Sequence, residues 1–214
     1  MEEKAFNVSL AKNPAITVNI TPGHFTTNNM HTNSYLDFNS LKSNTVIALD
    51  VAREFAIPYL SSTPVDTIVC MEKMEVIGAY LAHELEQDGT SSINSGNAIH
   101  VVSPISNAYG KLVFPDSSTG WIRGKNILLL VATVSSGRSL NVALECINYY
   151  GGKIAGISVL YMASNITTDL EIRSLFTSDD IPGYKLFSTN ECEMCKSGLK
   201  LDAIISSEGY TKIG

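Results

Sequence analysis

An uninterrupted apolar run, Asn126-Ile127-Leu128-Leu129-Leu130-Val131, leaves this chain few folds to choose from. A strand with one wet face alternates polar and apolar residues; a continuous run suits a strand covered on both faces, as in a parallel sheet. Ser135-Ser136-Gly137-Arg138-Ser139 follows at once, and then Leu140, Ala143, Leu144, Ile147 and Tyr150 fall at helical spacing before Gly151-Gly152. Ile154 to Tyr161 is a second buried strand. The same alternation stands upstream. Val46, Leu49, Ala52, Arg53 and Ala56 predict a helix closed by Pro58, and Asp66 to Cys70 a buried strand. Val76 to Leu85 predicts a helix with Ile77, Tyr80, Leu81 and Leu85 on one face, and Ala98 to Val102 another strand. Strands alternating with helices imply an α/β fold around a central, mainly parallel sheet flanked by helices. Ligands of such sheets sit outside the carboxyl ends of the strands.

The flanks read differently. Residues 1–44 are polar and irregular, with short strands suggested by Ile16 to Ile20 and Leu36 to Phe38. Residues 103–124 read as a long loop with a hairpin near Leu112-Val113-Phe114, and loops of that length are commonly functional. Leu199 to Ile205 reads as a strand. At 214 residues, 44% of them apolar, the chain is expected to fold as one domain. Fifteen basic against twenty-one acidic residues give a net charge of −6, which argues against nucleic acid and anionic membranes as partners. The start Met1-Glu2-Glu3-Lys4 has neither a basic nor an apolar leader segment, so a cytoplasmic location is expected.

The strand-to-helix junction carries the clearest chemistry. Small residues let backbone N–H groups approach an anion, hydroxyls add donors, and a helix N-terminus contributes partial positive charge. Ser135, Ser136, Gly137, Arg138 and Ser139 therefore read as a phosphate cradle, or else as a turn that uses Ser and Gly for geometry and capping.

This stretch resembles the phosphoribosyl-pyrophosphate (PRPP) motif of type I phosphoribosyltransferases. Gly23-His24-Phe25-Thr26-Thr27 with Ser34-Tyr35-Leu36-Asp37 is similar to the N-terminal hood of the orotate phosphoribosyltransferase branch. Asp66 to Cys70 followed by Val76 to Ala82 resembles that branch's strand, pyrophosphate loop and helix. The resemblance implies a type I phosphoribosyltransferase-like fold with a small hood, formed by about residues 1–44 plus C-terminal strands. It also implies Mg2+, a homodimer, and transfer of a phosphoribosyl group from PRPP to a nitrogenous base. Glu72, Lys73 and Met74 match its pyrophosphate loop, and Thr133 and Lys111 become candidate ligand contacts.

The departures fall where the chemistry is concentrated. The family's acidic pair, which meets the ribose hydroxyls, is replaced by Val131 and Ala132. A hood lysine is replaced by Asn28, and residues 103–119 hold Lys111 as their single cation. Loss of one donor to the developing charge costs roughly a hundred- to a thousandfold in rate. These changes imply weak or altered transfer, or a catalytically inactive phosphate- or nucleotide-binding regulatory module on the same scaffold.

Cys192-Glu193-Met194-Cys195 is a CxxC unit. It reads as unbridged loop cysteines, as a redox pair, or as half of a zinc site completed by another chain or by His24, His31, His83 or His100. His24 and His31 read as exposed loop histidines or as ligand contacts in the hood segment. Trp121 reads as a packing anchor or a shield over a site. Glu84, Glu86 and Asp88 read as a solvated acidic face.

Overall fold

A computed structural model describes residues 4–27, 30–87, 92–109, 111–163, 171–207 and 209–213. Asn28, Gly110 and Asp88, singled out or spanned above, lie outside the described residues. In chain order, β1 (Phe6–Leu10), β2 (Asn13–Thr26) and β3 (Met30–Asp37) precede helices α1 (Asn39–Ser43) and α2 (Thr45–Ala56). Strand β4 (Thr67–Cys70), helix α3 (Glu75–Glu86) and strand β5 (His100–Val102) follow. Next come β6 (Ile105–Ser106), β7 (Leu112–Val113) and α4 (Asp116–Thr119). Strand β8 (Asn126–Val134), helix α5 (Arg138–Tyr149), β9 (Lys153–Met162) and β10 (Ile172–Thr177) complete the alternation. The chain then runs through β11 (Leu186–Ser188), α6 (Glu193–Lys196), β12 (Ala203–Ser206) and β13 (Gly209–Lys212).

Five strands form one sheet in the order β10-β9-β8-β4-β5, every pairing parallel. The apolar run is the middle of β8, and its period of two decides what each side chain meets. Ile127, Leu129 and Val131 pack with Leu140, Ala143 and Ile147 of α5. Leu128, Leu130 and Ala132 pack on the other face with Val51 and Phe55 of α2 and Ile77, Leu81 and Leu85 of α3. Both faces of the strand are therefore covered, as the run requires. Asn44 caps α2, its Oδ1 accepting from Val46 N–H at 3.0 Å and Ile47 N–H at 3.5 Å. Asp66 Oδ2 accepts from the backbone and side-chain nitrogens of Asn126 at 2.7 and 2.9 Å, locking the start of β4 to β8. Helix α3 lies so close to β4 that a Cβ on Gly78 would stand 2.5 Å from Cys70 Sγ.

The second sheet is more regular than its polar composition suggests. It runs β11-β3-β2-β12-β13, with β1 also on β2. All pairings are antiparallel except β12 on β2. In β2, Ile16, Val18 and Ile20 are fully buried while Thr17 and Asn19 point outward. Asn and Thr in this segment thus form the wet face of an amphipathic strand rather than an irregular tail. The strand expected over Leu199 to Ile205 is restricted to β12, and the preceding residues turn back toward β2. Among the described residues, no helix is long and apolar enough to cross a membrane.

Candidate functional site

A cavity of about 390 Å³ opens at the carboxyl end of β8, bounded below by the parallel sheet and above by the hood sheet. Residues Thr133 to Ser139 line its floor, and Tyr35, Ile205, Ser206 and Gly209 come from the hood. Gly137 precedes α5 with φ +76°, and a Cβ added there would meet nothing within 4 Å. Glycine is thus set by backbone conformation, not by space. Its carbonyl accepts the first helical bond, from Asn141 N–H at 2.9 Å. The first amides of α5 therefore have no carbonyl of their own helix to bind, and Arg138 to Leu140 line the cavity. All five residues of the expected cradle line this cavity, and so does Thr133.

The loop after β4 contributes from the other side. Glu72 and Lys73 both take left-handed backbone conformations, with φ 54° and 64°. Such conformations cost non-glycine residues about 1–3 kcal/mol each and concentrate at ligand sites. The turn folds the Glu72 side chain across the end of β8, where Oε2 accepts from Thr133 N–H at 2.9 Å. Burial raises the Glu72 carboxyl above its ordinary value, opposed by the Thr133 amide, the Lys42 charge and the Ala132 amide. Lys42 Nζ donates to the Glu72 carbonyl at 3.3 Å and also lines the cavity. Tyr35, on the hood side, has its phenol pushed up to about 12, first by burial and then by the Asp37 charge, so it stays a neutral donor.

Of the pyrophosphate-loop residues expected from sequence, Glu72 reaches the cavity. Lys73 is exposed and does not line it, and Met74 is fully buried in the core at the start of α3. Lys111 is exposed on the β6–β7 hairpin, away from the cavity lining. Val131 and Ala132 are buried core residues. Ala132 also lines the cavity, and the Glu72 carboxyl meets the strand one residue further along, at the Thr133 amide. Sequence reasoning missed Lys42, because its place on the cavity rim depends on how α1 folds against the loop after β4. Trp121 stacks on His100 at 4.6 Å and does not line the cavity. Glu84 pairs with Arg53 at 3.3 Å, and Glu86 accepts the Ile99 amide, so neither is merely solvated.

A second concentration of chemistry lies on the hood. His24 on β2 and His31 on β3 are buried, which corrects the expectation of exposed loop histidines. Both are held inside an antiparallel strand pair, with their rings edge to face at 5.2 Å. Cys192 is buried at the start of α6 and Cys195 is exposed within it, so the CxxC opens a short helix rather than lying in a loop. One potential ligand atom from each of His24, His31, Cys192 and Cys195 lies within 4.8 Å of the others. His83 and His100, the other histidines considered, are not part of this group.

A five-stranded parallel sheet with helices on both faces, a hood sheet and a cavity between them define the type I phosphoribosyltransferase fold. No protein-family model matches the sequence, and no curated protein does. Among solved structures, the chain is similar to the orotate phosphoribosyltransferase of Mycobacterium tuberculosis H37Rv crystallised with Fe(III) dicitrate. The TM-score is 0.53 at 14% identity, over 75% of this chain and 90% of that one. It is also similar to the UMP synthase of Leishmania donovani, with a TM-score of 0.52 at 16% identity over 84% of this chain. The match spans 34% of that longer protein. At such identities the likeness establishes the fold.

Proposed function

We propose that this protein is a phosphoribosyltransferase-type enzyme, a single domain that takes PRPP and a nitrogenous base such as orotate, with weak or altered turnover. The observation that carries the reading is the cavity itself. The start of α5, the Ser135–Ser139 turn, Arg138 and Lys42 face one space at the carboxyl end of a parallel strand, beneath a hood. Backbone amides and a guanidinium suit a 5′-phosphate, because Arg offers a planar fork of donors. Lys42 lies beside the loop expected to receive pyrophosphate and supplies a positive charge at the cavity, which Lys111 does not line.

Mg2+ is compatible with this donor set. It prefers oxygen ligands, keeps several waters and is bound through one or two carboxylates plus substrate phosphates. Among the described residues Glu72 is the carboxylate lining the cavity and would face the ion, which would supply positive charge to the departing pyrophosphate. The chain's own residues hold the phosphate, orient the ribose from the Thr133 side and cover the site with Tyr35, Ser206 and Gly209. A homodimer in the cytoplasm, working in nucleotide synthesis or salvage, is consistent with this reading.

One observation favours a second reading, a non-catalytic phosphate- or nucleotide-binding regulatory module. Val131 and Ala132 are buried and apolar where ribose-binding carboxylates are expected. Calorimetric titration with PRPP, with and without Mg2+, followed by pyrophosphate-release assays with orotate and other bases, separates the two. Mg2+-dependent binding with base-dependent release supports the enzyme. Binding without release selects the module; no PRPP binding by the folded protein overturns the enzyme, and titration with nucleoside monophosphates then decides the module.

A further inference from the structure

The hood carries a set of side chains that phosphate chemistry does not use. His24 and His31 stand on neighbouring antiparallel strands, where the register places His31 opposite Thr26 and shifts between Pro22 and Phe25. Beside this irregularity the two rings meet edge to face. The chain returns more than 160 residues later as α6, whose first turn presents Cys192 and Cys195 to the two rings.

The distances are those of a coordination shell. A tetrahedral zinc with Zn–N of about 2.0–2.1 Å and Zn–S of about 2.3 Å sets its ligand atoms about 3.3 Å apart for N···N and about 3.6 Å for N···S. Here His24 Nε2 and His31 Nδ1 are 3.3 Å apart. Cys192 Sγ is 3.4 Å from His24 Nε2, and Cys195 Sγ is 3.6 Å from His24 Nε2 and 3.3 Å from His31 Nδ1. The tautomer of His24 agrees. Its Nδ1 lies 3.1 Å from the carbonyls of both Leu199 and Lys200, and carbonyls only accept, so Nδ1 carries the proton. Nε2 then offers a lone pair toward the sulfurs. Metal-bound histidines characteristically donate their other N–H to a carbonyl or carboxylate, which fixes the ring.

We propose that His24 Nε2, His31 Nδ1, Cys192 Sγ and Cys195 Sγ form a structural zinc site. Two thiolates and two imidazoles match the ligand preference of zinc, and four protein ligands leave no open position for catalysis. On binding, each thiol releases its proton to solvent, and the two thiolates balance the divalent charge. None of the four residues lines the phosphate cavity. The site acts through architecture: it ties β2 and β3 to the segment that leads into β12 and β13. Asp202 reinforces the tie, its Oδ2 accepting His24 N–H at 2.7 Å and its own N–H donating to the His24 carbonyl at 2.8 Å. Beyond it, Ile205, Ser206 and Gly209 roof the cavity.

The test is a cobalt titration of the full chain, stripped of metal and held under reducing conditions. One equivalent is expected to give the visible bands of tetrahedral cobalt and a near-ultraviolet thiolate charge-transfer band, both erased by zinc. Cys195→Ser, an exposed position, is expected to weaken the charge-transfer band and lower affinity while circular dichroism stays native. A wild-type protein that folds but gives no stoichiometric tetrahedral spectrum overturns the proposal. So does a charge-transfer band that survives unchanged in a folded Cys195→Ser variant. Should that variant fail to fold, the wild-type titration decides alone. The readout is independent of PRPP binding, so failure of either reading leaves the other standing.

Discussion

The cradle at the end of β8 and the four-residue cluster on the hood are built in opposite ways. The cradle is contiguous: seven residues from Thr133 to Ser139 meet one cavity because a strand ends and a helix begins there. In the proposed reading its donors are backbone amides joined by the Arg138 guanidinium, so the identity of most of its other side chains matters mainly for size and conformation. The cluster gathers side chains from β2, β3 and α6, and all of its chemistry is in the side chains. A site made of backbone tolerates drift in sequence, whereas a site made of ligands fails with one substitution. The largest predicted effects therefore belong to the cluster.

Metal removal should break the comparison most sharply. A ligand at a thousand times its Kd stabilises the folded state by about 4 kcal/mol. For a chain of this size each kcal/mol moves Tm by roughly 2–4 °C. Zinc-loaded protein is therefore expected to melt roughly 8–16 °C above the chelated protein in differential scanning calorimetry, with a smaller gap in Cys195→Ser, whose affinity is lower. An equal Tm with and without chelator would reduce the cluster to ordinary packing.

Next in size are the two cations of the cavity. A hydrogen bond to a charged partner is worth about 1.5–3 kcal/mol, so Arg138→Ala and Lys42→Ala should each weaken PRPP binding about ten- to a hundredfold by calorimetry. Thermal stability should hardly change in Arg138→Ala, because Arg138 is exposed, and should fall somewhat in Lys42→Ala, because half-buried Lys42 also donates to the Glu72 carbonyl. Gly137→Ala comes below these. Its φ of +76° with open space around it means that the cost is conformational, about 1–2 kcal/mol of unfolding free energy in urea titration. Its phosphate binding should weaken as the turn relaxes. If instead Gly137→Ala binds phosphate normally, the backbone cradle is not the anion site.

The same contrast explains what could be read in advance. The β8 run and the helix after it were legible because burial on both faces and a 3.6-residue period are local patterns. The α/β class follows from their order along the chain, and the phosphoribosyltransferase-like fold is what the resemblance of these segments to that family implies. The strands of residues 1–44 were underestimated because Thr and Asn on their wet face mask a period of two that Ile16, Val18 and Ile20 keep. The CxxC was visible, but its partners were four candidate histidines with nothing in the sequence to choose among them. That choice is made by the pairing of β2 with β3 and by the return of α6, both long-range events. Lys42 escaped for the same reason: its role depends on where α1 lies against the loop after β4. Glu72 is legible in the sequence only as a member of the matched pyrophosphate loop, while its bond to the Thr133 amide depends on two left-handed residues that no pattern announces.

Glu72 gives the smallest effect and the finest test, because it belongs to the local site yet acts through a side chain. Burial raises its carboxyl above the ordinary value of 4.5, so between that value and the folded-state value the native protein holds a proton that the unfolded chain has released. Stability from this group is therefore fully present below 4.5 and is lost as pH rises through the raised value. Glu72→Gln keeps an oxygen for the Thr133 amide but does not ionise. The variant should gain on the wild type as pH climbs, by on the order of 1 kcal/mol, in urea unfolding across pH 4 to 8. Without metal the substitution should tighten PRPP binding by removing a negative charge beside the phosphates. With Mg2+ it should erase the gain that the ion brings. A stability difference that runs the other way with pH would mean that the Thr133 and Ala132 amides and Lys42 outweigh burial, and that the cavity holds a preformed carboxylate at the place where Val131 and Ala132 offer none.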